Sequence, residues 1–255
     1  MNDRAAAFDD LDVARCYAHR PPYAPALYEF LLGLVPRKQC LVDLGCGPGK
    51  IAAALAGKFT DVIAIDPAIA MIETAKATNP QPNIRWLHAS AEEAALPDDI
   101  DLVTAGTSIH WMKHEVLFPK LAGHAPLVAV ITGDAPLSPP WFIGETAFLT
   151  KWLARLHGRT FDRPAFVAEG RIYEPWLDIA GRREFTFTFR QSIADYIACQ
   201  HSRASWPRSR MGADLVVEFD GELEAVLTPF TRDGIVSFDL TSELVWGAPR
   251  KSARG

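Results

Sequence analysis

The sequence predicts an α/β fold: a seven-stranded, mostly parallel sheet with helices on both faces and a lid inserted after the fifth strand. Three observations predict it. In the first half, short apolar runs alternate with helix-like stretches at the spacing of βαβ units. The first strand runs into a glycine-rich turn, Val42-Asp43-Leu44-Gly45-Cys46-Gly47-Pro48-Gly49. The second half breaks this rhythm with prolines and aromatics, then returns to strand-like patterning. Right-handed crossovers leave few topologies for such an order.

Residues 39–44 read as a buried strand, and residues 50–59 as an alanine-rich helix. A second strand covers 61–65. A helix over 67–77 follows, with Pro67 at the first helical position, where a missing N–H costs nothing. Residues 84–88, 101–105 and 127–132 read as the third, fourth and fifth strands. After Gly133, Pro136, Pro139 and Pro140 break the chain, and 141–156 reads as an amphipathic helix. From there to about Ile179 no clear strand is visible. Residues 184–190 alternate strictly, with Phe185, Phe187 and Phe189 on one face and Thr186 and Thr188 on the other. Residues 193–202 and 214–227 read as helices and 235–246 as a last strand, with Gly234 at its turn.

Composition narrows the function. Apolar residues make up 49% of 255, enough for a sizeable core, and the net charge of -5 is spread along the chain. That balance argues against an electrostatic grip on nucleic acid. No apolar run approaches the roughly 20 residues that span a bilayer, so no membrane partner is expected. The first residues lack the basic-then-apolar order of a signal peptide. Cys16, Cys40, Cys46 and Cys199 form no CxxC pair, which fits reduced thiols in a cytoplasm.

The glycine turn carries the chemistry. Its glycines open backbone angles closed to other residues and let a ligand approach the main chain. It lies at the carboxyl end of a strand, where open α/β sheets bind ligands. Counted from Gly45, the dinucleotide pattern G-x-G-x-x-G needs a small residue where Lys50 stands, and the phosphate-loop pattern also fails. Asp66 ends the second strand, the place from which a carboxylate bonds ribose hydroxyls. A nucleoside without a phosphate cradle fits S-adenosylmethionine (SAM) better than NAD or ATP.

VDLGCGPGK, IAIDPAIAMIE, WLHASAEEAALP and DLVTAGTSIHWM, over roughly residues 40–112, resemble successive motifs of class I SAM-dependent methyltransferases. They most resemble the small-molecule branch related to trans-aconitate methyltransferases. Tyr17-Ala18-His19-Arg20-Pro21-Pro22-Tyr23 is similar to that branch's Y-x-x-R-P-x-Y lead-in, and the C-terminal half resembles the branch more loosely. The resemblance implies a Rossmann-like sheet in a single methyltransferase domain, 1–255. Within it, 1–35 are cap helices, 36–133 the SAM-binding core, 134–180 the lid, and 181–255 complete the sheet. It implies that Gly45, Gly47 and Gly49 shape the turn beneath the methionine part, that Asp43 orients the amino group, and that Asp66 holds the ribose. Pro67, Ala68 and Met71 flank the adenine, and Ser90 and Ala91 lie at its edge, where many relatives carry aspartate in place of Ser90. Thr107 joins the donor contacts, while Tyr17 and Arg20 close over the methionine end, Arg20 toward the carboxylate. Core packing is the competing role for Met71 and Ala91, and a helix cap that for Asp66.

Methyl transfer from a sulfonium needs alignment, a dry pocket and removal of one acceptor proton. His110, just past the fourth strand, is the candidate base, because histidine titrates near neutrality. A purely shaping role is the alternative, and Trp111 reads as a pocket wall. His110 and His114 are four apart, as metal ligands on one helix face often are, but no third ligand completes a pattern and no metal is expected. In the lid, Trp141, Phe142, Phe148, Trp152, Phe161, Phe166 and Trp176 either line an acceptor pocket or staple the lid to the sheet. Glu145, Asp162, Glu169 and Glu174 favour a cationic acceptor. His201, Arg203 and Trp206, in a segment resembling one that faces acceptors, are further substrate candidates, and Arg203 favours an acidic acceptor instead. The expected partner is a small metabolite or natural product methylated on oxygen, nitrogen or carbon, and the expected state a monomer or homodimer. Methylation of tRNA or protein, and SAM binding without catalysis, are the alternatives; no Asn/Asp-Pro-Pro-Tyr-type motif stands at the fourth strand, where Ser108-Ile109-His110-Trp111 is found.

Overall fold

The computed structural model describes residues 5–133, 136–160 and 170–254. Its strands are β1 (Cys40–Leu44), β2 (Asp61–Asp66), β3 (Ile84–His88), β4 (Leu102–Gly106), β5 (Val128–Thr132), β6 (Leu177–Ser192) and β7 (Ile235–Pro249). They form one seven-stranded sheet in the order β3-β2-β1-β4-β5-β7-β6. The first five strands pair in parallel, and β7 runs antiparallel to β5, with Thr132 opposite Glu243. The α-helices among the described residues are α1 (Leu11–Cys16), α2 (Pro25–Leu34), α3 (Lys50–Ala56), α4 (Ile69–Thr78), α5 (His114–Leu121), α6 (Phe142–His157), α7 (Ile193–His201), α8 (Arg208–Met211) and α9 (Ala213–Leu227). None of them is long and apolar enough to cross a membrane.

β1 is apolar apart from Asp43 because every residue in it is buried, as a parallel strand covered on both faces requires. The strand order reverses beside it, since β2 lies on one side and β4 on the other. The carboxyl ends of β1 and β4 therefore border a topological switch point, where such sheets form ligand crevices.

Several elements differ from expectation, α8 among them, for which no helix was read. Helix α4 begins at Ile69 rather than residue 67, because Ala68 is extended and gives its N–H to the Asp66 carboxylate at 2.9 Å. Strand β6 begins at Leu177 rather than residue 184. Its first half is exposed apart from Leu177 and the half-buried Gly181, so no apolar alternation marks it. Gly181 belongs there for another reason: the Trp246 ring lies where its Cβ would be, 2.3 Å away. Helix α5 had no sequence counterpart, and Pro119 inside it accounts for that.

The chain divides into two compact units. One comprises Met1–Pro22, Asp134–Pro164 and Thr186–Thr241; the other comprises Tyr23–Gly133, Ala165–Phe185 and Ser242–Gly255. The stretch read as a lid is thus shared, its first part belonging to the former and its last part to the latter. The second unit has a core in which Val42, Leu44, Val103, Phe118 and Val130 are essentially inaccessible. The first unit has an aromatic core of its own, including Trp141, Phe148, Trp152, Tyr196, Phe219 and Phe238.

Candidate active site

The glycine turn adopts the conformation its composition implies. Gly45, Gly47 and Gly49 have φ of 62°, 53° and 90°, in the left-handed region where a side chain is unfavourable. Two of them also have no room for one. A Cβ on Gly45 would lie 2.5 Å from the Ser108 Cβ, and one on Gly49 would lie 2.4 Å from the Trp86 ring. Cys46, between them, donates its N–H to the Ile65 carbonyl at 3.0 Å and so ties the turn to β2. Its thiol is buried, which pushes its pKa well up and keeps it protonated.

Two carboxylates organise the turn. Asp66, at the end of β2, accepts the Gly47 N–H at 2.8 Å and the Ala68 N–H at 2.9 Å, one on each oxygen. Asp43 is more deeply placed, accepting the Thr104 hydroxyl at 2.8 Å and the Ala52 N–H at 3.2 Å. Burial lifts its carboxyl to about 7; those hydrogen bonds oppose the shift and the nearby Asp66 charge adds to it. Asp43 therefore braces β1 against β4 and the start of α3.

Two braces escaped sequence reasoning. The Asn79 amide, at the C-terminal cap of α4, donates to the Pro48 carbonyl at 3.0 Å, and Trp86 on β3 covers Gly49. Neither follows from any motif, since both act through tertiary placement.

The turn after β4 is strained. Thr107 has φ of 52°, unusual for a β-branched residue and worth about 1–3 kcal/mol of strain. Its N–H reaches the Ile131 carbonyl at 2.8 Å and its hydroxyl pairs with the Tyr23 hydroxyl at 3.0 Å. Ser108 then donates to the Leu44 carbonyl at 2.7 Å, joining this turn to the glycine turn. His110 follows in a 3-10 turn, Ile109–Trp111, half-buried, its ring centroid 4.7 Å from that of Trp111. His114 opens α5 instead of sharing a helix with His110, and its Nε2 is engaged by the Ile109 carbonyl at 2.8 Å. The two histidines thus do not form a helical pair.

Around the end of β2 the surface is apolar. Pro67 is exposed, and so are Ile69 at 41% and Leu87 at 37%, while Met71 and Ala91 are buried at 1% and 4%. Ala91 belongs to the core cluster, which supports the packing role for it. Ser90 opens a hydrogen-bonded turn, its hydroxyl donating to Glu93 at 2.8 Å and accepting the Glu93 N–H at 3.3 Å. Glu92 accepts the Lys113 N–H at 2.6 Å, so this segment is bonded to the chain just past His110. The donor set fits SAM: a glycine turn with no phosphate-binding pattern, a carboxylate for ribose, and an apolar shelf beside it for a base.

A family model described as a methyltransferase domain matches residues 41–124, the stretch that builds this geometry. "Probable S-adenosylmethionine-dependent methyltransferase CRG1" of Saccharomyces cerevisiae is 36% identical over 110 residues, covering 40% of this chain and 38% of that protein. An uncharacterized methyltransferase of Mycobacterium tuberculosis, Rv3342, is 34% identical over 104 residues, covering 40% and 41%. The chain thus spans about two fifths of the length of these curated relatives. Residues 41–124 thus form a SAM-dependent methyltransferase domain. Solved structures share the fold. A candidate type II methyltransferase from Anaeromyxobacter dehalogenans superposes with a TM-score of 0.66 at 21% identity, covering 92% of this chain and 99% of that one. YcgJ of Bacillus subtilis gives 0.50 at 16% identity, covering 88% and 98%.

The remaining site candidates lie in the other unit. Arg20 is 9% exposed, donates to the Ser202 hydroxyl and carbonyl at 2.7 and 2.8 Å, and stacks 4.0 Å over the Tyr17 ring. His201 is fully buried, with Nδ1 at 2.7 Å from the Trp206 carbonyl and Nε2 at 2.7 Å from the Asp220 carboxylate. Trp206 packs on Phe219, while Arg203 is half-buried. Its charge partly offsets the cost of burying Glu145, whose carboxyl burial pushes up. Trp141, Phe148 and Trp152 are core residues of that unit, and Trp176 stacks on Phe118 in the methyltransferase core. Trp141, Phe148, Trp152 and Trp176 therefore pack as staples, and Phe142 is half-buried. Glu174 is paired with Arg182 at 2.7 Å. Phe161, Asp162, Phe166 and Glu169 lie outside the described residues.

Proposed function

We propose that this chain transfers a methyl group from SAM to an oxygen, nitrogen or carbon of a small metabolite or natural product, in the manner of the branch its motifs resemble. The observation that carries this reading is the pair of turns joined by the Ser108–Leu44 hydrogen bond: a glycine turn without a phosphate pattern beside a strained turn that presents His110. Bound at the glycine turn, SAM supplies an electrophilic methyl on a sulfonium. Asp66 and the glycine backbone hold it, with Pro67 and Ser90 flanking. His110 takes the acceptor's proton and Trp111 bounds the pocket. The acidic charge balance and the Ser-Ile-His-Trp sequence after β4 favour a small acceptor over tRNA or protein. All four cysteines are free and buried, which supports a reducing compartment such as the cytoplasm.

Incubation with methyl-labelled SAM and a fractionated cell extract tests this. Label in small molecules is expected; label in macromolecules, or nowhere, would favour the two alternatives in turn. In the same assay His110→Ala should lower turnover at saturating SAM about 100-fold. Near-full turnover would leave His110 only a shaping role.

A further inference from the structure

We propose that Tyr23 is a positioning residue for donor binding: its hydroxyl holds Thr107 in the left-handed conformation that joins the turn after β4 to the glycine turn. This rests on the donor site assigned above. Three observations within one unit carry it. Thr107 is β-branched at φ of 52°, so its conformation must be imposed by its surroundings. The only side-chain hydrogen bond found for its hydroxyl among the described residues is the 3.0 Å pair with Tyr23. Tyr23 is itself fixed, 8% exposed, with Ala24 donating its N–H to the buried Ser242 hydroxyl at 3.0 Å and Pro25 opening α2.

The phenol also occupies the space above the preceding residue. A Cβ on Gly106 would lie 2.9 Å from the Tyr23 hydroxyl and 2.5 Å from the Ile51 side chain. Beyond Thr107, displacement has nowhere to dissipate. Ser108 is bonded to the Leu44 carbonyl at 2.7 Å, and its Cβ already fills the space beside Gly45. A rotation of Thr107 therefore moves Ser108, and Ser108 moves the first glycine of the donor turn. Tyr23 acts on the donor through this relay of packed neighbours.

Calorimetric titration with S-adenosylhomocysteine tests the relay, using wild type, Tyr23→Phe, Thr107→Val, Thr107→Gly and the double variants. Tyr23→Phe and Thr107→Val should each weaken binding about five- to tenfold, the worth of one buried hydrogen bond. Their double variant should be no weaker than either, because both remove the same interaction. With Thr107→Gly, whose backbone adopts the left-handed region freely, Tyr23→Phe should change affinity less than about twofold. A loss from Tyr23→Phe that is as large in the glycine background marks a general packing effect and overturns the proposal. So does unchanged binding by Tyr23→Phe when wild type binds. Wild type that does not bind at all overturns the donor reading, and this relay with it.

Discussion

Gly49→Ala isolates what the donor turn demands of its backbone. Two costs combine at this residue. At φ of 90° a Cβ is sterically disfavoured, by about 1–2 kcal/mol for a left-handed L-residue. The new methyl would also stand 2.4 Å from the Trp86 ring, and relieving such overpacking costs about 1–3 kcal/mol. The total, about 2–5 kcal/mol, is a large share of the 5–15 kcal/mol typical of a domain, yet leaves most molecules folded. Gly57→Ala is the control: its φ is -70° and nothing lies within 4 Å of its Cβ, so it should be neutral or slightly stabilising. Urea unfolding of both variants gives the stability difference, and S-adenosylhomocysteine titration should show at least a tenfold loss for Gly49→Ala alone. Repeating Gly49→Ala in a Trp86→Leu background removes the steric part and should recover about 1–3 kcal/mol of its cost. If Gly49→Ala costs less than about 0.5 kcal/mol, the turn is not constrained as argued.

Asp43 makes stability pH-dependent. Its carboxyl, lifted to about 7 by burial, is raised above its unfolded value, so its contribution is fully present below about pH 4 and is lost as pH rises through 7. Asp43→Asn should therefore gain on wild type by up to about 1.4 kcal/mol per pH unit over that window and no further above it, read from urea midpoints across pH. Tyr196→Phe removes the hydroxyl that donates to Glu145 at 2.6 Å inside the aromatic core. The loss should be about 1–3 kcal/mol near pH 8 and smaller at acidic pH, where Glu145 is protonated in either variant; an equal loss at both would refute the pairing. His201→Gln can satisfy only one of the two acceptors that the ring faces, Trp206 carbonyl and Asp220 carboxylate. Thermal and urea unfolding should show a loss of about 2–4 kcal/mol, and a loss below about 0.5 kcal/mol would mean that these bonds are not maintained in solution.

What was legible in the sequence is what the backbone enforces locally. Gly45, Gly47 and Gly49 stand where φ is positive, and the buried runs of β1, β2, β4 and β5 are mostly apolar because parallel strands are covered on both faces, with Asp43, Asp66 and Thr104 as hydrogen-bonded exceptions. Asp66 was recognisable by its place at the end of β2. The braces of the site were not, since Asn79, Trp86 and Tyr23 act on residues 31, 37 and 84 positions away, across packing that no short window contains. The first half of β6 was invisible for a related reason: its exposed residues carry no period, and its one diagnostic feature, Gly181 beneath Trp246, depends on a strand distant in sequence.

The charge conflict left by the sequence also has a physical resolution within the unit that holds it. Glu145 pointed to a cationic acceptor and Arg203 to an acidic one, as if each were an independent surface charge. Glu145 is instead 8% exposed, takes the Tyr196 hydroxyl at 2.6 Å, and is favoured in its charged form by Arg203. Opposite charges that compensate each other present a weaker net field than either would alone. Neither residue type, read singly, is therefore a sound guide to acceptor polarity. The sign of the acceptor has to be read from groups other than Glu145 and Arg203.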